Sequence, residues 1–363
     1  MTSMTTPTPT EQQAQPNPGG FFAGVDTHKA THQVAVIDHH GHLVAERGFA
    51  TTAAGCEAIR SWLAQWPLSR VGVEQTGTYG AELTRILQAQ SLQVLEVDRP
   101  DVWTRARHGK SDPIDATAAA QAARTGRAVT IPKDTTGIIA AIARLHSVRR
   151  SAVKARAAAL TQISAEAITT PAALRDRLGT TSRQIATTAA RLRADLTRLD
   201  DPVQAAKHGL RHLARRIEAL DEEIAELDRA LDTLVAKAAP RLLARPGVGT
   251  AIAAQLLITA GQNIDRIGTD AKFARLAGIA PIPASSGQTH RMRLHRGGDR
   301  AANSAIHLVA IGRLRYHQPA IDYLARRTTQ GLSKKDTIRA MKRLIARELF
   351  GALKADLQAL DAI

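Results

Sequence analysis

From residue 21 the chain alternates short apolar runs with polar turns, in the rhythm of β-strands. Three strands are predicted over roughly 21–26, 32–38 and 42–49, the last two separated by a His-His-Gly turn and all three paired as an antiparallel meander. TTAAGCEAIRSWLAQW (51–66) opens on threonine caps and predicts a helix. RVGVEQ (70–75) reads as a short apolar strand carrying Glu74 at its end, YGAELTRILQAQ (79–90) as a helix, and QVLEVD (93–98) as another strand. HGKSDPIDATAAAQAA (108–123) follows. Ser111 or Asp112 can cap a helix with Pro113 in its first turn, Asp115 as a further anion there, and an alanine-rich body. Hairpin-linked strands followed by alternating helices and strands predict an α/β domain with a mixed sheet over 21–135.

Beyond about 136 the strand pattern vanishes. Residues 138–165 predict a helix studded with Arg144, Arg149, Arg150, Lys154 and Arg156, and 172–200 a weaker helical stretch. Leu210, Leu213, Ile217, Leu220, Ile224, Leu227, Leu231 and Leu234 then step by alternating threes and fours, the heptad of a coiled coil. Its partner is either the 138–165 helix of the same chain or a second chain. Pro240 ends that helix. LLARPGVGTAIAAQLLITAG (242–261) reads as helix, Gly-rich turn and helix, and 271–317 as two helices flanking a long basic loop. An Arg/Lys-rich amphipathic helix closes the chain over 334–360. The expected organisation is a disordered tail (1–20), an α/β domain (21–135), a helical coiled-coil region (136–240) and a small helical C-terminal domain (241–363).

A chain of 363 residues is too long for one core, and 44% hydrophobic content suffices to build several. Aromatics make up only 3%, so those cores are aliphatic. The net charge of +16 calls for a polyanionic partner, and with few aromatics for base stacking the expected mode is Arg and Lys contact with a nucleic-acid backbone. Cys56 stands alone, which excludes a disulfide framework or a Cys-based zinc site within the chain and fits a reducing cytoplasm. The Thr/Pro/Gln-rich start is not a signal peptide, and the longest apolar stretch, near 251–260, is too short to span a bilayer. A cytoplasmic, nucleoid-associated protein with no membrane partner is expected.

Four carboxylates mark the ends of elements in the α/β domain. Asp26 ends the first strand, Glu74 the fourth, and Asp112 and Asp115 share one face at the start of the helix after the fifth. Any one of them alone reads as a helix cap or a solvated strand end. As a set they repel one another unless a cation lies between them, and oxygen ligands of this kind suit Mg²⁺ or Mn²⁺. Two such ions about 4 Å apart clamp the attacking and leaving oxygens of phosphoryl transfer.

GVDTHKATHQVAVID, VGVEQTGTYG and VDRPDVWTRARHGKSDPIDATAAA resemble the DEDD motifs of bacterial insertion-sequence transposases. The N-terminal domain of those enzymes is similar to the RuvC resolvase, and Piv-like invertases belong with them. LLARPGVGTAIAAQLLITAG and FARLAGIAPIPASSGQTHRMRLHRGGDRAANSAIH resemble the family's C-terminal transposase domain. The resemblance implies an RNase H-like (RuvC-like) N-terminal fold, with Asp26, Glu74, Asp112 and Asp115 as catalytic metal ligands. It further implies recombination of donor and target DNA guided by a structured noncoding RNA, and a homo-oligomer, dimeric or tetrameric on DNA, whose active sites draw on two subunits.

PASSGQTHRMRLHRGGDR (283–300) reads on its own as a Ser-Gly turn in a basic phosphate-binding loop, with Arg291, Arg293, Arg296 and Arg300 as cations. The resemblance implies instead a serine nucleophile at the Ser-Gly position, Ser286, with Ser285 as its alternative. In RPGVGTAIA, Gly247 and Gly249 form either a tight turn between packed helices or a phosphate-binding turn at a helix N-terminus. A metal-dependent nuclease of the resolvase kind, without a covalent step, would need the four acids alone. A non-catalytic binding protein would need none of them.

Overall fold

The computed structural model describes residues 20–97, 112–127, 129–284, 287, 292–295 and 297–361. The chain forms two compact units that divide between Lys133 and Asp134. The expected tail over 1–20 lies almost wholly outside the described residues.

The first unit is a six-stranded sheet in the order β3-β2-β1-β4-β5-β6. Its strands are β1 (Phe21–Thr27), β2 (Thr31–Ile37), β3 (Leu43–Ala50), β4 (Leu68–Glu74), β5 (Val94–Val97) and β6 (Val129–Thr130). β1, β2 and β3 pair antiparallel as the hairpin rhythm predicts. β4 joins β1 in parallel, and β5 joins β4 in parallel. The antiparallel edge strand β6 is only two residues long, too short to leave a period in the sequence.

Because side chains alternate along a strand, β1 feeds two cores. Ala23 and Val25, with Val34, Val36, Val71 and Val73, pack against Cys56, Ile59 and Leu63 of α1 (Ala53–Leu63) and Leu83 and Leu87 of α2 (Ala81–Ala89). On the other face Phe22 and Ile37 pack with Ala120 of α3 (Asp112–Thr125). The first unit is thus an α/β layer structure of the RNase H type, in which α3 covers, among the described residues, the face where the even-numbered residues of β1 point.

The second unit is almost wholly helical. Two long helices, α4 (Gly137–Thr169) and α7 (Pro202–Ala238), pack along each other, with the short helices α5 (Ala172–Arg175) and α6 (Ser182–Ala189) between them in sequence. Ile163 and Ala159 meet Leu210, Leu213 and Ile217 in one cluster, while Ile139 and Ile142 share another with Leu231 and Val235. The heptad of α7 therefore has α4 of the same chain as a partner. Arg149 pairs with Asp228 and Arg156 with Asp221, which fixes the register between the two helices. The weak stretch at 172–200 breaks because Gly179 takes φ +93° and Thr181 starts α6 with a capping box to Gln184.

Beyond them come α8 (Pro240–Leu243), α9 (Thr250–Ala260), α10 (Asp270–Leu276), α11 (Arg300–Tyr316), α12 (Gln318–Thr329) and α13 (Lys334–Asp361). The basic loop is not wholly irregular: β7 (Pro281–Pro283) and β8 (Met292–Leu294) pair antiparallel at its base. Among the described residues no helix is long and apolar enough to cross a membrane.

Candidate active site

The site starts from two glycines. On the α3 face of the sheet, Gly24 of β1 and Gly72 of β4 have no side chain, and the facing positions of α3 are alanines. A Cβ built on Gly24 would fall 2.2 Å from the Ala116 carbonyl oxygen, and one on Gly72 2.5 Å from that of Ala119. Helix and sheet therefore touch backbone to backbone. The alanine run, read from sequence as helix propensity, is also the surface that permits this approach.

That approach brings Asp112 and Asp115 of α3 within electrostatic reach of Asp26. Val25 and Val73 are paired in register, so Asp26 and Glu74 follow side by side at the ends of parallel strands. Thr27 Oγ1 donates to the Glu74 carbonyl at 3.1 Å and ties the two ends. Immediately after Glu74, Gln75 adopts φ +51°, an uncommon left-handed conformation for a side-chain-bearing residue, and the chain reverses toward α2. Asp112 is the first residue of α3 and Asp115 lies one turn further on the same face.

Burial separates Asp112 from the other three acids. Asp26 and Asp115 are each 3% exposed and Glu74 is 8% exposed, whereas half of the Asp112 side chain is open to solvent. Burial pushes the Asp26 carboxyl above its ordinary range. His28 opposes the rise, and the charges of Asp115 and Asp112 add to it.

Sequence reading missed His28. Its Nε2 lies 3.1 Å from Asp26 Oδ2 and 3.3 Å from Asp112 Oδ1. The donor atoms of Asp26, His28 and Asp112 all fall within 4.8 Å of one another. The available signal was the spacing: two residues past Asp26 at a strand end, the side chain returns to the same face.

The residues present fit a hard divalent cation. Oδ2 of Asp26 is buried and accepts no hydrogen bond, despite the nearby imidazole. A buried carboxylate oxygen left in that state, among further carboxylates, is costly without a positive charge beside it.

In the second unit, Ser285, Ser286, Arg291 and Arg296 lie outside the described residues. Gly287 has φ +52°, and Arg293 on β8 and Arg300 at the start of α11 are exposed. The loop returns to a firm anchor. Asp299 caps α11 by accepting from the Ala301 and Ala302 backbone and also accepts from Thr259 Oγ1 at 2.7 Å. Gly247 takes φ +78°. Gly249 is an exposed N-cap of α9 with no side-chain hydrogen bond of its own.

A mixed sheet ordered as above, with acids at the adjacent ends of β1 and β4 and on the first turn of α3, defines an RNase H-like domain of the RuvC kind. Comparison with known proteins specifies it further. Residues 23–166 match the family model of DEDD transposases of the IS110 type, and residues 239–325 match that of the transposase IS116/IS110/IS902 family. The chain belongs to this family of DEDD insertion-sequence transposases. It is similar to the insertion element IS900 uncharacterized 42 kDa protein of Mycobacterium paratuberculosis, with 27% identity over 42% of this chain. It is also similar to the insertion element IS110 uncharacterized 43.6 kDa protein of Streptomyces coelicolor, with 30% identity over 39% of this chain. The chain spans 39% and 36% of the lengths of these two relatives.

Proposed function

We propose that this chain is a recombinase that cuts and rejoins DNA, with Asp26, Glu74, Asp112 and Asp115 holding a divalent cation and Ser286 attacking the scissile phosphate. The observation that supports this reading is the meeting of Asp26 of β1 and Asp112 of α3, far apart in sequence, at a buried carboxylate oxygen without a hydrogen bond. A bound Mg²⁺ or Mn²⁺ would supply charge stabilisation for the phosphoryl group and its leaving oxygen.

In the proposed step the Ser286 Oγ–P bond forms as the bond from phosphorus to the leaving sugar oxygen breaks. The serine proton is given up and the sugar leaves as a hydroxyl. The serine phosphodiester keeps the bond energy needed for rejoining, so no external energy source is required. Arg291, Arg293, Arg296 and Arg300 neutralise backbone phosphates at the loop. A structured noncoding RNA supplies sequence selection, which suits a strongly basic chain with few aromatics. The assembly is a homo-oligomer in which acids and serine of one active site come from different subunits.

The second reading, a resolvase-like nuclease using water, is favoured by all four acids lying within the first unit. A denaturant-resistant protein–DNA adduct separates the two. The recombinase reading expects an adduct with element-junction DNA that is lost in Ser286→Ala. Cleavage without any adduct, and unaffected by Ser286→Ala and Ser285→Ala, supports the nuclease.

A further inference from the structure

We propose that His28 is a nitrogen ligand of the cation, so that the pocket is a mixed oxygen–nitrogen site and not an all-carboxylate one. The inference rests on the metal-binding reading above and adds a residue to it.

The geometry is the first support. An octahedral ion with bonds of about 2.1 Å sets neighbouring donor atoms about 3 Å apart. His28 Nε2 stands 3.1 Å from Asp26 Oδ2 and 3.3 Å from Asp112 Oδ1, the spacing of adjacent corners around one ion. The second support is the character of the His28–Asp26 contact. At 3.1 Å the pair lacks the alignment of an N–H···O bond, and Asp26 Oδ2 remains buried without a donor. The donor atoms of Asp26, His28 and Asp112 lie within 4.8 Å of one another, close enough to share one ion.

The third support is the fixing of His28. Its backbone N–H donates to the Thr31 carbonyl at 3.0 Å, and its carbonyl accepts from Thr51 Oγ1 at 2.9 Å. Thr31 and Thr51 therefore fix the His28 backbone, from which the imidazole reaches Asp26 and Asp112. An imidazole also adds a donor without adding negative charge to a pocket already rich in carboxylates. Exchanging oxygen for nitrogen moves ion preference toward Mn²⁺ and later transition ions relative to Mg²⁺.

The test is Mn²⁺ bound to the full-length protein, read by pulsed electron paramagnetic resonance for ¹⁴N coupling. The wild type is expected to show modulation from a coordinated imidazole. His28→Gln and His28→Asn are expected to lose it and to bind Mn²⁺ at least about tenfold more weakly. Mg²⁺ affinity, measured by competition, should fall less, so the preference for Mn²⁺ narrows. Asp115→Asn serves as the control that removes the ion and the coupling together.

Mn²⁺ bound by the wild type through the acids but with no nitrogen coupling overturns the His28 assignment and leaves the acid site standing. Nitrogen coupling that persists in both His28 variants overturns it equally. Absence of Mn²⁺ binding by the wild type overturns both this inference and the metal reading beneath it. The wild-type spectrum decides even if a variant unfolds.

Discussion

A Cβ placed on Gly24 would lie 2.1 Å from the backbone nitrogen of Ala120. No side chain can move aside to relieve that clash, because the atom it meets belongs to the α3 backbone. Asp26 is two residues along β1 from this contact and Asp115 directly precedes Ala116, so the packing of one glycine governs the separation of two buried acids. Gly24→Ala should destabilise the first unit by more than about 3 kcal/mol in urea unfolding and weaken Mn²⁺ binding. Gly48→Ala on β3 is the control, since a Cβ there meets only the flexible Gln33 side chain, at 3.0 Å. It should change stability by less than about 0.5 kcal/mol. Equal effects of the two substitutions would refute the close-packing argument.

Much of this was legible in the sequence, for identifiable reasons. Strand periodicity placed β1 to β5 because each is half of a two-sided core, and the position of acids at strand ends gave Asp26 and Glu74. Asp115 was legible as a second anion in the first turn of α3, but not as a buried one. Its burial depends on Gly24 and Gly72, whose partners on α3 are distant in sequence. The spacing of His28 from Asp26 was legible, but its approach to Asp112 was not, since it arises only when α3 brings Asp112 to within 3.3 Å of it. β6 was missed because two residues of an edge strand carry no pattern.

The raised affinity of Asp26 for its proton has a sign that can be measured. Its carboxylate is disfavoured in the folded state near neutral pH, so folding there works against burying its charge. Asp26→Asn should raise the melting temperature of the metal-free protein while reducing strand cleavage at least about 10³-fold. A lower melting temperature would show that the charge is already compensated without a cation.

Two buried histidines set an acid limit. His32 is fully buried on the α1/α2 face and His146 is buried in the second unit. Burial lowers the proton affinity of both, reinforced by His28 for His32 and by Arg150 and Arg149 for His146. The folded pKa of each is below the unfolded value of 6.5. Their contribution to stability is therefore complete above 6.5 and is lost as pH falls below it, because the unfolded chain binds the extra protons. Melting temperature should decline between pH 7.5 and 5, and His146→Asn should flatten that decline relative to its own value at pH 7.5. A slope unchanged by the substitution contradicts this account.

Arg313 of α11 holds the second unit at a buried junction. Its guanidinium contacts Glu348 of α13 at 2.6 and 3.0 Å and donates from Nε to the Pro246 carbonyl at 2.8 Å, just before Gly247. Glu348→Gln leaves a buried cation without its counter-charge. It should cost about 3 kcal/mol, at the lower end for such pairs because Glu348 is one-third exposed. Arg313→Lys loses the forked geometry and should cost a similar amount. Urea unfolding followed by a probe in the second unit checks both. A loss below about 1 kcal/mol for either would show that the junction is held by packing alone.

The central claim is that the four acids converge on a single cation-binding pocket. Anomalous diffraction from crystals soaked in Mn²⁺ tests it most directly. The account predicts a peak within bonding distance of Asp26 and the α3 acids, beside Glu74, and absent from Asp115→Asn crystals. A wild-type protein that shows no peak there, or that binds Mn²⁺ only at sites away from Asp26 and Asp115, contradicts it.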